Sequence, residues 1–225
     1  MEETYLWPLW ISLMTVGTAT VITFFTGMAA GRWMARYRGR LNTLIDCILI
    51  LPLVLPPTVV AVSLMLLLGD RGPIGQVLSS VGASVVFSWP ATVITAVVVS
   101  FPLMYLSARG AFEHVETSYE DAARTLGAGE WRVFWTVTLP LAWPGVVAGA
   151  ILAFARALGE FGATLMLAGN IPGKTTTIPV AIYFAVKEGD MTQAMVLVLI
   201  VFMIVFASLA ALAYFKGKTY RVISM

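Results

Sequence analysis

Ionisable side chains are scarce in this 225-residue chain, and those set among apolar residues mark where chemistry could occur. Arg156 and Glu160 stand four apart inside an otherwise uncharged stretch, so on a helix they share a face. Charges at membrane depth are costly and turn toward a protein interior or a water-filled path. Two readings follow. The pair is an internal ion pair that pins helices together, or it lines a path for an anion, with Arg156 attracting and Glu160 preventing trapping. Asp46, near the end of another apolar stretch, reads as an interfacial residue. The single histidine, His114, has no metal-ligand companion at suitable spacing, and the single cysteine, Cys47, excludes an internal disulfide. The segment from Ala168 to Thr175 fits a relaxed phosphate-loop pattern. A true phosphate loop follows a buried strand and opens a helix, whereas this one follows an apolar stretch and runs into Ile178-Pro179. No catalytic residue, metal site or nucleotide site is expected in this chain, nor a nucleic-acid partner. A secondary transporter would show internal repeats and ion-coupling charge pairs at the midplane; no repeat between the halves is visible.

The elements that must hold these residues are membrane helices. Hydrophobic residues make up 59% of the chain and charged residues 12%, with a mean hydropathy of +0.88; soluble domains carry about 25% charged residues. Several uncharged runs exceed the ~20 residues a helix needs to cross hydrocarbon, and no alternating barrel-strand pattern occurs. We expect an all-α integral membrane protein forming one domain over 1–225, with five spans at about 6–31, 44–68, 89–108, 141–162 and 191–215. The N-terminus lacks a basic leader region and a cleavage site, so its first apolar run is expected to be a retained span. The thirty-seven uncharged residues 72–108 are generous for one span, and 76–87 is expected to be a helix or loop at the outer surface. Pro52, Pro56 and Pro57 interrupt the second span and free backbone carbonyls that neighbours or water must satisfy. That suits a pathway or gate, although proline is also common in membrane helices generally. Gly145, Gly149, Gly159 and Gly162 are expected to serve close helix packing.

Orientation follows from Lys and Arg. With five spans, Arg32, Arg36, Arg38, Arg40, Arg109, Arg124, Arg132, Lys216, Lys218 and Arg221 share one side, against Arg71, Lys174 and Lys187 on the other: ten to three. The N-terminus, with Glu2 and Glu3, is therefore expected outside and the C-terminus in the cytoplasm. The seven tryptophans, at 7, 10, 33, 89, 131, 135 and 143, fall near span ends, where such rings anchor.

Within the loop 109–139, on the expected cytoplasmic side, lies a short polar helix. Ser118 and Asp121 have capping-box spacing, and Gly127 is a natural stop. Tyr119, Ala122, Ala123 and Leu126 form an apolar face with a flat alanine centre, rimmed by Glu120, Arg124 and Thr125. Such a face can receive another protein, or rest on the membrane surface as an interfacial helix.

The run Asp121-Ala122-Ala123, three residues, Gly127, nine residues, then Val137, Leu139 and Pro140 resembles the EAA motif of ABC importer permeases. Asp121 stands where Glu is common and Val137 where Ile is. The resemblance implies a type I ABC importer permease fold, with the short helix as a coupling helix seated in a groove of a cytoplasmic ATPase subunit. Tyr119, Glu120, Asp121, Ala122, Ala123, Leu126, Gly127, Leu139 and Pro140 would then form the ATPase-coupling segment. The stretches from Phe154 to Thr164, Gly169 to Pro172 and Leu51 to Pro57 are similar to molybdate permeases end to end. That narrower resemblance implies a bacterial inner-membrane homodimer, two ATPase subunits carrying ATP and Mg²⁺, and an extracytoplasmic oxyanion-binding protein; the residues' own chemistry makes Pro56, Pro57, Arg156 and Glu160 the candidates for the translocation path. Sulfate and tungstate permeases are similar as well.

Overall fold

Lipid offers no hydrogen bonds to a backbone, so a chain of this composition closes its amides within helices. The computed structural model describes residues 2–223, with side chains from Leu6 to Ala213; the charges at Glu2, Glu3, Lys216, Lys218 and Arg221 used for orientation lie outside the described side chains. Among the described residues there is no strand. Long helices are α1 (Glu2–Arg36), α5 (Trp89–Glu113), α8 (Leu139–Leu158) and α11 (Met191–Ile223). Shorter ones are α2 (Asn42–Val54), α3 (Pro57–Leu68), α4 (Pro73–Ser80), α6 (Thr117–Thr125), α7 (Glu130–Val133), α9 (Gly162–Ala168) and α10 (Ile178–Glu188).

Among the described residues, four helical runs are long and apolar enough to cross a membrane: Leu6–Arg36, Trp89–Glu113, Glu130–Leu158 and Met191–Ala213. The second expected span, 44–68, is not straight. Its halves, α2 and α3, meet at 113°, because a residue preceding proline is driven out of the helical region. Leu55 and Pro56 each precede a proline, and both are extended (ψ 141° in each). The expected fourth span is shifted as well. It begins at Glu130 rather than 141 and ends at Leu158 rather than 162. Pro140 has no N–H to donate, and the helix absorbs this as a π-turn over Phe134–Thr138, with the Leu139 amide bonding to the Phe134 carbonyl. The loop expected at 109–139 is thus largely helical. Helix α4 overlaps the first residues of the 76–87 segment, whose remainder is turn and coil, while α9 and α10 fill a stretch in which no helix is expected.

The centre is built by α1, α5 and α8 lying close together. A Cβ added to Gly31 of α1 would sit 2.8 Å from the Arg109 amide nitrogen and 2.9 Å from the Ala108 Cβ of α5. Gly145 and Gly149 of α8 approach Ala111 and Ser107 of α5 in the same way. Small residues let helices meet in lipid through van der Waals packing, and hydroxyls add glue. Here Thr15 pairs with Thr92 at 3.0 Å and Thr23 with Ser100 at 3.3 Å. Met104, Ala108, Phe112, Leu139 and Val146 fill the core between the helices. Gly159 departs from the packing expectation: it ends α8, and only its own preceding turn lies near it. Helix α11 lies at the periphery with Met195, Leu199, Phe202 and Phe206 exposed, as a lipid-facing helix would.

Candidate coupling helix and translocation break

Helix α6 starts two residues earlier than its capping-box spacing predicts. Glu116 is the extended residue before it, no side chain caps it, and the Ser118 hydroxyl donates to the Glu116 carboxylate at 3.2 Å. Ser118 therefore lies inside the helix and does not cap it. The stop is as expected. Gly127 adopts φ +83°, its amide bonds to the Arg124 carbonyl at 2.9 Å, and the Ala128 amide bonds to the Ala123 carbonyl at 3.1 Å. These two bonds make a Schellman closure, which needs the left-handed residue that glycine supplies.

The apolar face points away from the protein. Tyr119, Ala122 and Leu126 are exposed, Leu126 by 88%, and Ala123 is half-buried. Asp121 and Gly127 are exposed too. Glu120 corrects the expected rim: it is the one buried residue of α6. Its Oε1 accepts from the Thr138 hydroxyl at 2.5 Å, and its Oε2 takes the Arg36 guanidinium. Arg32 and Arg124 approach the same carboxylate at 3.7 and 3.8 Å. Arg124 also bridges Asp121 at 2.6 Å and Glu130 at 2.6 Å; the Glu130 carboxylate, then Asp121, hold its guanidinium above the ordinary arginine value. Leu139 is buried and Pro140 exposed at the start of α8, directly after the π-turn that supplies Thr138.

The second constellation forms where two helices are interrupted. Arg156 and Glu160 pair at 3.1 Å, but Glu160 is not within a span as expected. It lies in the break after α8, buried, and its Oε1 accepts the Ala163 amide at 2.9 Å, anchoring the first turn of α9. Gly159 terminates α8 there, and the chain cannot continue as one rod. Both oxygens of Glu160 are thereby engaged within the chain, while the Arg156 side chain keeps 32% of its surface exposed. The bend between α2 and α3 packs beside this break: a Cβ on Gly162 would lie 3.0 Å from the Pro57 Cβ. Pro56 and Pro57 are exposed. The four residues expected at the path thus lie at two adjoining helix interruptions.

Residues 27–215 match the family described as "Binding-protein-dependent transport system inner membrane component". The chain belongs to this family. As a permease of that family it is a multi-pass inner-membrane protein. It is 43% identical over 203 residues to the putative molybdenum transport system permease protein YvgM of Bacillus subtilis, covering 90% of this chain and 89% of that one. It is 53% identical over 147 residues to the molybdenum transport system permease protein ModB of Escherichia coli, covering 65% of this chain and 64% of that one. A solved bacterial ABC transporter involved in alginate import superposes with a TM-score of 0.75 at 15% identity, over 99% of this chain and 81% of that one. At that identity the likeness shows the fold: type I ABC importer permease.

Sequence reasoning undervalued three charged residues of this permease, Arg32, Arg36 and Asp46. Arg32 and Arg36 entered only as topology markers, yet they stand four apart on α1 and both reach Glu120. That i,i+4 spacing was the available signal. Arg32 also lies over the Phe112 and Phe134 rings, 5.7 and 5.6 Å from their centroids. Asp46 is more than an interfacial residue: it bonds to Arg109 at 2.5 Å and accepts the Tyr105 hydroxyl at 2.6 Å, tying α2 to α5. Nothing local marks that pairing, since its partners lie 59 and 63 residues away in sequence.

Proposed function

We propose that this chain is the membrane subunit of an ATP-driven importer that carries molybdate into the cytoplasm. The names of the similar permeases support the substrate, and the outward apolar face of α6 supports the way in which the subunit is driven. A nine-residue helix whose Tyr119, Ala122 and Leu126 face away from its own protein leaves apolar area that a partner can cover. The partner is a cytoplasmic ATPase subunit, which places α6 inside and the N-terminus outside. ATP and Mg²⁺ belong to that subunit; this chain supplies no hydrolytic group.

Two copies of the permease enclose the path, and an extracytoplasmic binding protein delivers the oxyanion. ATP binding draws the ATPase subunits together, and α6, closed by Gly127 into a rigid peg, moves with its ATPase. The permease then rocks between inward- and outward-open states, the two-state element that coupling between distant sites requires. At the adjoining breaks, the partly exposed side chain of Arg156 meets the anion while Glu160 holds α9 and balances the charge. A lone cation in an apolar path would hold a dianion; a neutralised one lets it leave.

The decisive experiment is co-purification. The wild-type permease retains its ATPase subunit, and Ala123→Glu, which places a charge in the flat centre of the face, releases it while the permease stays inserted. An intact complex in that variant overturns the docking role of α6. Competition uptake of molybdate with tungstate and sulfate, using the native binding protein, tests the substrate: strong inhibition of molybdate uptake by sulfate and none by tungstate would reassign it.

A further inference from the structure

The outward apolar face raises the question of what holds α6 to its own permease. Its main helix neighbours are α7 and the π-turn, and it buries no apolar side chain. What it buries is the carboxylate of Glu120, 3% exposed. We propose that Glu120 is the joint through which movement of α6 reaches the membrane helices. The inference rests on the importer reading above and deepens it by naming the residue that carries the motion.

The two oxygens of Glu120 divide the work. Oε2 is held by Arg36 of α1, and Oε1 by Thr138 at the end of the π-turn. Arg32, one turn back on α1, approaches Oε1 and spans the rings of Phe112 on α5 and Phe134 on the π-turn. One carboxylate therefore connects α6 to α1 and to the start of α8, with α5 reached through Arg32. These are the helices whose glycine contacts form the central pack. Charge-assisted hydrogen bonds are short and directional, so displacement of α6 pulls on α1 and on the π-turn. The π-turn adds a compliant point, because a π-turn is a local widening of the helical ladder, and Thr138 grips its last residue.

The charges balance only with Glu120 present. Arg32, Arg36 and Arg124 face Glu120, Asp121 and Glu130, but Asp121 and Glu130 both bond to Arg124. Without the Glu120 carboxylate, Arg32 and Arg36 have no anion bonded to them within this cluster. Glu120 acts through these partners and touches no substrate, so it is a positioning residue.

The test uses the full importer reconstituted in vesicles with its ATPase subunits and loaded binding protein, reading molybdate delivered per ATP hydrolysed. Glu120→Gln keeps the shape and removes the charge. The expected result is that the complex still co-purifies and still hydrolyses ATP, while anion delivered per ATP falls by about tenfold, within the range of coupling energies between distant sites. Thr138→Val, which removes one bond and no charge, lowers the ratio by a smaller factor. Should Glu120→Gln fail to fold, Thr138→Val carries the test alone. An unchanged ratio in whichever variant folds overturns the joint, as does a parallel fall of uptake and hydrolysis that leaves the ratio intact. Failure of the unsubstituted permease to retain an ATPase subunit sinks the importer reading instead, so the two failures are distinct.

Discussion

Where α1 meets α5, the contact is made by missing side chains; where α1 meets α6, it is made by charge. Gly31 brings the two backbones nearly into touch, and hydroxyl pairs such as Thr15 with Thr92 close the remaining polar valences. At the other junction there is no apolar interlock, only Glu120 among Arg32, Arg36, Arg124 and Thr138. Close-packed helix contacts have one good arrangement and resist deformation. Ion pairs joined by long side chains keep their partners through small rotations. The difference teaches which part of the permease moves as a body and which part is hinged to it.

Substitutions at the two junctions separate frame from hinge, read as unfolding of the purified complex in detergent together with uptake. Gly31→Val should have the largest effect. Its side chain would push into the Arg109 backbone, and overpacking of this kind costs about 3 kcal/mol. Lost transport with unchanged melting would show that the α1–α5 contact is not the rigid frame. Gly127→Val comes next. Nothing lies within 4 Å of that position, so the cost is backbone strain alone, about 1–2 kcal/mol, confined to the end of α6. Uptake per ATP should drop while the global melt moves little; normal coupled uptake would count against a rigid peg.

Thr15→Val removes one rung of the hydroxyl ladder and should cost about 0.6 kcal/mol, the usual size of such bonds between membrane helices. A double-mutant cycle with Thr92→Val isolates it, and a coupling near zero would show that this hydroxyl pair adds nothing to the glycine packing. The smallest stability effect belongs to Leu126→Ser. That side chain is 88% exposed, so the melt of the isolated permease should stay within about 0.5 kcal/mol. Retention of the ATPase subunit should nonetheless weaken. A large destabilisation there would mean that the face packs against its own chain.

Much of this was legible in the residues. The uncharged runs dictate helices, because no other open structure satisfies a backbone in lipid. Pro56-Pro57 dictates an interruption through the steric restriction on the residue before proline, and Gly127 dictates a stop through its left-handed conformation. The EAA-like spacing located α6. The direction of its faces was not legible in the same way. Amphipathic patterning separates an apolar side from a polar one, and in a soluble protein the apolar side turns inward. In this permease the rule reverses at α6, where Glu120 turns in and Leu126 turns out.

Local residue patterns dictated the long apolar helices, the bend at Pro56-Pro57 and the stop at Gly127, and required partners for ionisable groups at depth; the short helices α9 and α10 they did not mark. Only the tertiary structure decided who those partners are. Glu120 finds Arg36 from 84 residues away, Asp46 finds Arg109, and Pro57 comes to rest against Gly162. Helix propensity, capping and proline sterics act over a turn or two and are written in neighbouring residues. Pairing of charges and close approach of helices depend on how separate rods pack, which no local pattern encodes.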